Sequence, residues 1–299
     1  MSVSIIMRNL EFSLLLVVLA VYPRLDISQP VLELYGFSDP QYDSLSVFLT
    51  DNPPNYRQSG RDWKMGICQT GREQSPIGLR TFSDPSFEVV TERNSSYAPM
   101  RFTSSPFVPA VMDLNFFNIY WAYIADYVST QVLMTEVEQV LASLSMHAPS
   151  EHTIDGIRYP LSVELMYTNA IVGGNEVGGG PNVEILFVEG SRSVFLDQLI
   201  NEDPLDLTEL FPAGGLVQDY FFYMGSWNFP SGCMEGIGWV IPNYQVEASP
   251  DQIQYFTDLY VSNFNFTDGR GLARAIQSIY DRIVTHFVSS EESTSFLGE

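Results

Sequence analysis

Apolar and polar positions alternate with a period of two through most of this chain, which predicts half-buried or buried β-strands. Leu161-Ser162-Val163-Glu164-Leu165-Met166-Tyr167 is one such run, and Val183-Glu184-Ile185-Leu186-Phe187-Val188 is another. Gly238-Trp239-Val240-Ile241 reads as a third, closed by Pro242. Between the first two, Gly173 to Pro181 reads as a flexible loop. No lysine and no helix start follows its glycines, so a phosphate cradle is not implied.

One helix is signalled from both its cap and its face. Ser249 is placed as N-cap, Pro250 as first helical residue and Gln252 as capping-box partner. Ile253, Phe256, Leu259 and Tyr260 then form the apolar stripe. Residues 271–287 are ambiguous. Leu272, Ile276, Ile279, Ile283 and Phe287 recur at helical spacing, so the period alone predicts an amphipathic helix.

Near the start, Arg8 precedes an eleven-residue apolar run, Phe12 to Tyr22, that stops at Pro23. A bilayer span needs about 20 such residues, so residues 1–22 read as a signal peptide, with an uncleaved N-terminal anchor as the alternative. Residues 23–60 form a leading segment that wraps a domain over 61–288, and 289–299 form an acidic tail expected to be disordered.

The chain has 299 residues, 45% of them hydrophobic, enough for a sizeable core. Acidic residues outnumber basic ones 36 to 14, and Lys64 is the only lysine. The resulting charge of -22 disfavours nucleic acid and anionic membrane surfaces, and favours solubility and cationic partners. Two cysteines, Cys68 and Cys233, suit an oxidising compartment, although spacing alone does not pair them. Asn94-Ser95-Ser96 and Asn265-Phe266-Thr267 are glycosylation sequons in such a compartment. A secreted or lumenal location follows; if the leader is retained, the domain is membrane-anchored outside the cytosol and takes part in a membrane assembly.

The stretch from His147 to Leu161, HAPSEHTIDGIRYPL, resembles the central signature of the α-carbonic anhydrases, HFHAPSEHTIDGKRYPLELHLVH. Trp63, Cys68, Gly71 and Gln74-Ser75-Pro76-Ile77 are similar to that family's preceding motif. Tyr223-Met224-Gly225-Ser226, Pro230, Cys233-Met234-Glu235-Gly236 and Trp239 resemble its later Y-x-GSLTTPPCSEG-x-x-W. Arg274, Gln277, Arg282 and Val284 resemble its closing segment. The resemblance spans roughly residues 60 to 288. It implies one mostly β domain: a large, twisted, mainly antiparallel sheet with short peripheral helices. It also implies a Cys68–Cys233 disulfide and an extended course for Arg274–Gln277, against the helical period.

The family's chemistry rests on three neutral imidazoles around zinc, an arrangement that lowers the pKa of bound water to about 7. The resemblance puts those three positions at Ser145, His147 and Glu164. One histidine of three remains, and the chain holds only two others, His152 and His286. Serine is a poor zinc ligand, so His147 and Glu164 are the residual metal-ligand candidates. The supporting positions differ too. Ser143 stands for a glutamine, and Trp227, Asn228 and Phe229 stand for Leu-Thr-Thr. Glu151 is retained and could accept an amide hydrogen bond from Asn228. No histidine follows Ile77 where a proton shuttle would sit. Trp227 and Phe229 are large enough to fill the space of metal, water and carbon dioxide. The expectation is a pseudoenzyme, without cofactor, acting as a binding or structural subunit for an unidentified protein partner. The alternative is zinc-dependent CO2 hydration with altered ligands.

Overall fold

In the computed structural model the described residues are 55–64, 66–81, 92–93, 100–102, 109–116, 119–124, 129–131, 138–169, 179–201, 203–228, 233–261 and 267–288. The signal and leading segments up to residue 54, the sequon asparagines Asn94 and Asn265, Phe229 and the acidic tail lie outside them.

Thirteen described strands join one sheet. Eight of them carry the argument: β1 (Ile119–Ile124), β2 (Glu138–His147), β3 (Leu161–Asn169), β4 (Gly179–Glu189), β5 (Asp219–Ser226), β6 (Glu235–Pro242), β7 (Gln245–Ala248) and β8 (Val284–Val288). The central order is β2-β3-β4-β6-β5-β8. β2 pairs with β1 and β3, β3 with β4, and β5 with β6 and β8, all antiparallel. β4 runs parallel to β6 and β7, so the sheet is mixed but mainly antiparallel. A small separate sheet joins Gly78–Leu79, Thr153–Ile154 and Ile157–Arg158.

Both faces of the central strands are covered. On one face Leu144, Met146, Val163, Leu165, Val183, Ile185 and Val240 pack with the helices. On the other, Leu186, Phe221, Tyr223, Trp239 and Ile241 pack with Ile77, Leu79 and Val284. Side chains alternate along each strand, so this second face also carries Ser145, His147, Glu164 and Glu184. The register sets Glu164 opposite Ser145 on one side and opposite Glu184 on the other. Four polar side chains are thereby buried inside an apolar sheet.

Helix α1 (Val194–Asn201) and helix α2 (Pro250–Val261) lie on the first face. The α2 cap forms as expected. Gln252 Oε1 accepts from the Ser249 N–H and from Ser249 Oγ, each at 3.1 Å. Phe256 and Tyr260 are fully buried, with Ile253 and Leu259 packed beside them.

Two local expectations change. Gly179–Pro181, read as loop, begin β4, because Gly179 pairs with Thr168; the rest of that loop lies outside the described residues. Residues 272–283 form no helix. Their N–H groups bond across the fold: Leu272 to Ala148 O at 3.0 Å, Ala275 to Ser59 O at 2.8 Å and Gln277 to Pro76 O at 2.8 Å. Those tertiary bonds hold the segment extended, and it continues into β8. The helical spacing does not track burial, since Leu272 and Phe287 are buried but Ile276 and Ile283 are exposed, and the family-like extended course is the one adopted.

Candidate functional site

The alternation of β2 brings Ser145 and His147 to one face, and β3 adds Glu164 from the next strand. Ser145 Oγ is 3.2 Å from His147 Nε2, and Glu164 Oε2 is 3.6 Å from the same nitrogen. The second distance is an ionic contact, too long for a hydrogen bond. Glu164 instead accepts from Asn182 Nδ2 on β4, at 2.6 Å to Oε1. The other edge of the ring is also engaged. His147 Nδ1 is 3.1 Å from Leu272 O and 3.0 Å from Glu151 Oε1. Glu151 Oε2 accepts from the Arg274 N–H at 3.0 Å. Ser145, His147, Glu151, Glu164 and Asn182 are all 3% exposed or less.

Burial opposes a charged imidazole, but Glu151, by charge and hydrogen bond, and then Glu164 outweigh it and push the His147 pKa well above the usual histidine range. Burial pushes the Glu164 pKa up, against the opposing pull of His147, with Glu151 and Glu184 adding to the rise. Burial and then the fields of Glu151 and Glu164 raise the Tyr56 hydroxyl. The groups around His147 thus favour the charged form of its ring.

A donor set for zinc would need about four ligands, with imidazoles binding through an unprotonated nitrogen. Here one imidazole faces one carboxylate and one hydroxyl. Among the described residues no group of three or more His, Cys, Asp or Glu side chains is placed to hold a metal ion. The set does not fit a zinc centre of the three-histidine type.

Two supporting expectations are corrected or refined. Asn228 does not pair with Glu151. Both its amide atoms are buried without a hydrogen-bond partner, while Glu151 is turned to His147 and Arg274. Trp227 is half-buried against the second-face cluster, its N–H bonded to Met234 O at 3.0 Å. Phe229 and the side chain of Ser143 lie outside the described residues. The disulfide Cys68–Cys233 is present. It pins the turn after β5 to the Gln74-Ser75-Pro76 segment: Gln74 Nε2 donates to Cys233 O at 3.0 Å, and Arg274 Nη2 donates to Cys68 O at 3.0 Å.

Glu184 and Asn182 are the residues that sequence reasoning missed. Glu184 holds the ring of His152 through its Oε2 and accepts the Glu151 N–H at 3.0 Å. Burial works against its charge, but His152 outweighs that and holds its pKa low. The available signal was a carboxylate in the middle of the run Val183–Val188, on a strand buried on both faces. His152 Nε2 meets Tyr223 Oη at 2.6 Å, so His152 sits in a satisfied buried network.

No family model matches the chain. Among curated proteins it is 25% identical over 232 residues to a carbonic anhydrase of Pectobacterium carotovorum, covering 74% of this chain and 82% of that protein. It is 26% identical over 211 residues to alpha carbonic anhydrase 4 of Arabidopsis thaliana, covering 67% and 71%. Among solved structures, dioscorin complexed with ascorbate superposes with a TM-score of 0.63 at 23% identity, covering 82% of this chain and 98% of that one. The fold is thus of the carbonic anhydrase type, with the polar cluster set into one face of the large sheet. In sequence the chain is similar to α-carbonic anhydrases over about two thirds to three quarters of its length.

Proposed function

We propose that this protein is a carbonic anhydrase-like protein without metal-hydroxide catalysis, acting outside the cytosol as a binding or structural subunit. The observation that carries the reading is the engagement of His147 on both ring nitrogens, with Ser145 and Glu164 at the other two ligand positions. The ring lies between Glu151 and Glu164, which favour its charged form at the spot where a metal would otherwise bring positive charge. The missing donors would have to be replaced, and His147 deprotonated, before zinc could bind.

The disulfide supports an oxidising compartment, and no helix among the described residues is long and apolar enough to cross a membrane. With a charge of -22, the partner class favoured is a protein with a cationic face, and nucleic acid is disfavoured. Dioscorin, which shares the fold, has been solved in complex with ascorbate, so a small-molecule binding role belongs to the same reading.

A second reading is zinc-dependent CO2 hydration using His147 and Glu164. One spacing favours it. Two ligands each about 2.1 Å from a tetrahedral zinc stand about 3.4 Å apart, close to the 3.6 Å between Nε2 and Oε2. CO2 hydration by zinc-supplemented protein separates the readings. The first expects no rate above the uncatalysed reaction, and the second expects an inhibitor-sensitive rate.

A further inference from the structure

Beside the His147 cluster, a second buried chain of polar groups crosses the same face of the sheet. It runs from the Ser226 N–H to Ser75 Oγ at 3.0 Å, on to Tyr223 Oη at 2.7 Å, to His152 Nε2 at 2.6 Å, and ends where His152 Nδ1 meets Glu184 Oε2. Ser75, His152 and Glu184 are wholly buried, and Tyr223 is 1% exposed. The ends of the chain fix its direction. An amide N–H can only donate, and an ionised carboxylate can only accept. Ser75 therefore donates to Tyr223, and in the neutral ring His152 gives Nδ1–H to Glu184 and accepts from Tyr223 at Nε2. A phenol thus points its proton at a base that is backed by a carboxylate.

The surroundings narrow what this phenol can do. Burial, the largest influence, disfavours a tyrosinate. The Arg282 guanidinium lies 5.5 Å from the centre of the Tyr223 ring and disfavours a cationic ring. An electron can leave without creating charge on the ring only if the phenolic proton leaves with it. The Trp239 ring, 4.8 Å from that of His152, keeps the acceptor in place, with its own N–H bonded to Ser226 O at 2.9 Å.

We propose that Tyr223 is a redox-active tyrosine, oxidised by one-electron oxidants of the oxyl-radical class with its proton passing to His152. In the step, the oxyl radical takes one electron and, with a proton from solvent, becomes an alcohol. The Tyr223 O–H bond breaks and an N–H bond forms at His152 Nε2. The products are a neutral phenoxyl radical and an imidazolium paired with Glu184. The proton returns when a one-electron donor reduces the radical. This site uses none of the residues at the zinc-ligand positions, so it stands whether or not the chain binds metal.

The test is flash-quench oxidation of the full chain with a ruthenium polypyridyl photosensitiser, read by electron paramagnetic resonance. The expected result is a neutral phenoxyl signal that is lost in Tyr223→Phe and kept in Tyr255→Phe, a change at an exposed tyrosine. An unchanged signal in a folded Tyr223→Phe protein overturns the proposal. If Tyr223→Phe does not fold, histidine-15N wild-type protein decides by pulsed ENDOR. A nitrogen coupling from a hydrogen-bonded imidazole supports the assignment, and its absence overturns it.

Discussion

Glu151 Oε1 lies 3.0 Å from Nδ1 of His147, four residues earlier in the chain, with both side chains buried. The contact joins the turn after β2 to the strand's last residue. It also sets the charge of the one imidazole left at the ligand positions. Replacing one member of a buried ion pair leaves the other uncompensated, at a typical cost of about 3–5 kcal/mol. Glu151→Gln is expected to destabilise the fold by that order in urea titration. A loss below about 1 kcal/mol, the level of an exposed pair, would show that the contact is not ionic.

Stability is expected to fall as pH rises from neutral into the alkaline range. The folded pKa of His147 lies above its unfolded value, about 6.5. Its contribution is therefore complete below that pH and is lost as pH rises through the folded pKa. The raised pKa of Glu164 acts in the same direction. Glu184, held low, acts oppositely, and its contribution is lost in acid as pH falls through its folded pKa. Thermal midpoints across pH check this, with Glu151→Gln expected to flatten the alkaline limb. A midpoint that rises from neutral to alkaline pH would contradict the assignment.

Asn228 carries a buried amide with no hydrogen-bond partner. Such a group costs roughly 1–3 kcal/mol. Asn228→Leu, which keeps the heavy-atom count and branching while removing the polar atoms, is expected to leave stability unchanged or raise it by about 1 kcal/mol in chemical denaturation. A large loss would mean that the amide is paired in solution.

Opening Cys68–Cys233 releases a closure between residues 165 apart. Loss of a native disulfide typically costs about 2–5 kcal/mol, so Cys68→Ser with Cys233→Ser should lower the thermal midpoint clearly. An unchanged midpoint would show that the hydrogen bonds of Gln74 and Arg274 hold the turn unaided.

Much of this was legible before the structure. HAPSEHTIDGIRYPL located the ligand strand, and its alternation put Ser145 and His147 on one face. The Ser249 cap and the strands around Val163 and Ile185 were readable from local patterns, because propensity and burial agree there. Residues 271–287 were not, since their hydrogen bonds go to Ala148, Ser59 and Pro76, which no local period records. The partners of Glu164 and His152 were hidden for a related reason. Asn182 and Glu184 sit on a neighbouring strand, and cross-strand pairing is set by register.

The ligand positions can also be tested by restoring them. Ser145→His with Glu164→His rebuilds three imidazoles on β2 and β3. The double variant is expected to gain stoichiometric zinc, measured by elemental analysis after dialysis. Failure to gain it would place the obstacle in the surrounding residues.

Whether the polar cluster around His147 stands in place of a metal is tested most directly by zinc stoichiometry of the unaltered protein. Purified chain is dialysed against zinc, freed of excess and analysed by inductively coupled plasma mass spectrometry, with calorimetric titration alongside. The expected result is well under one zinc per chain and no saturable binding heat. One tightly held zinc per chain, lost on His147→Ala, would contradict it.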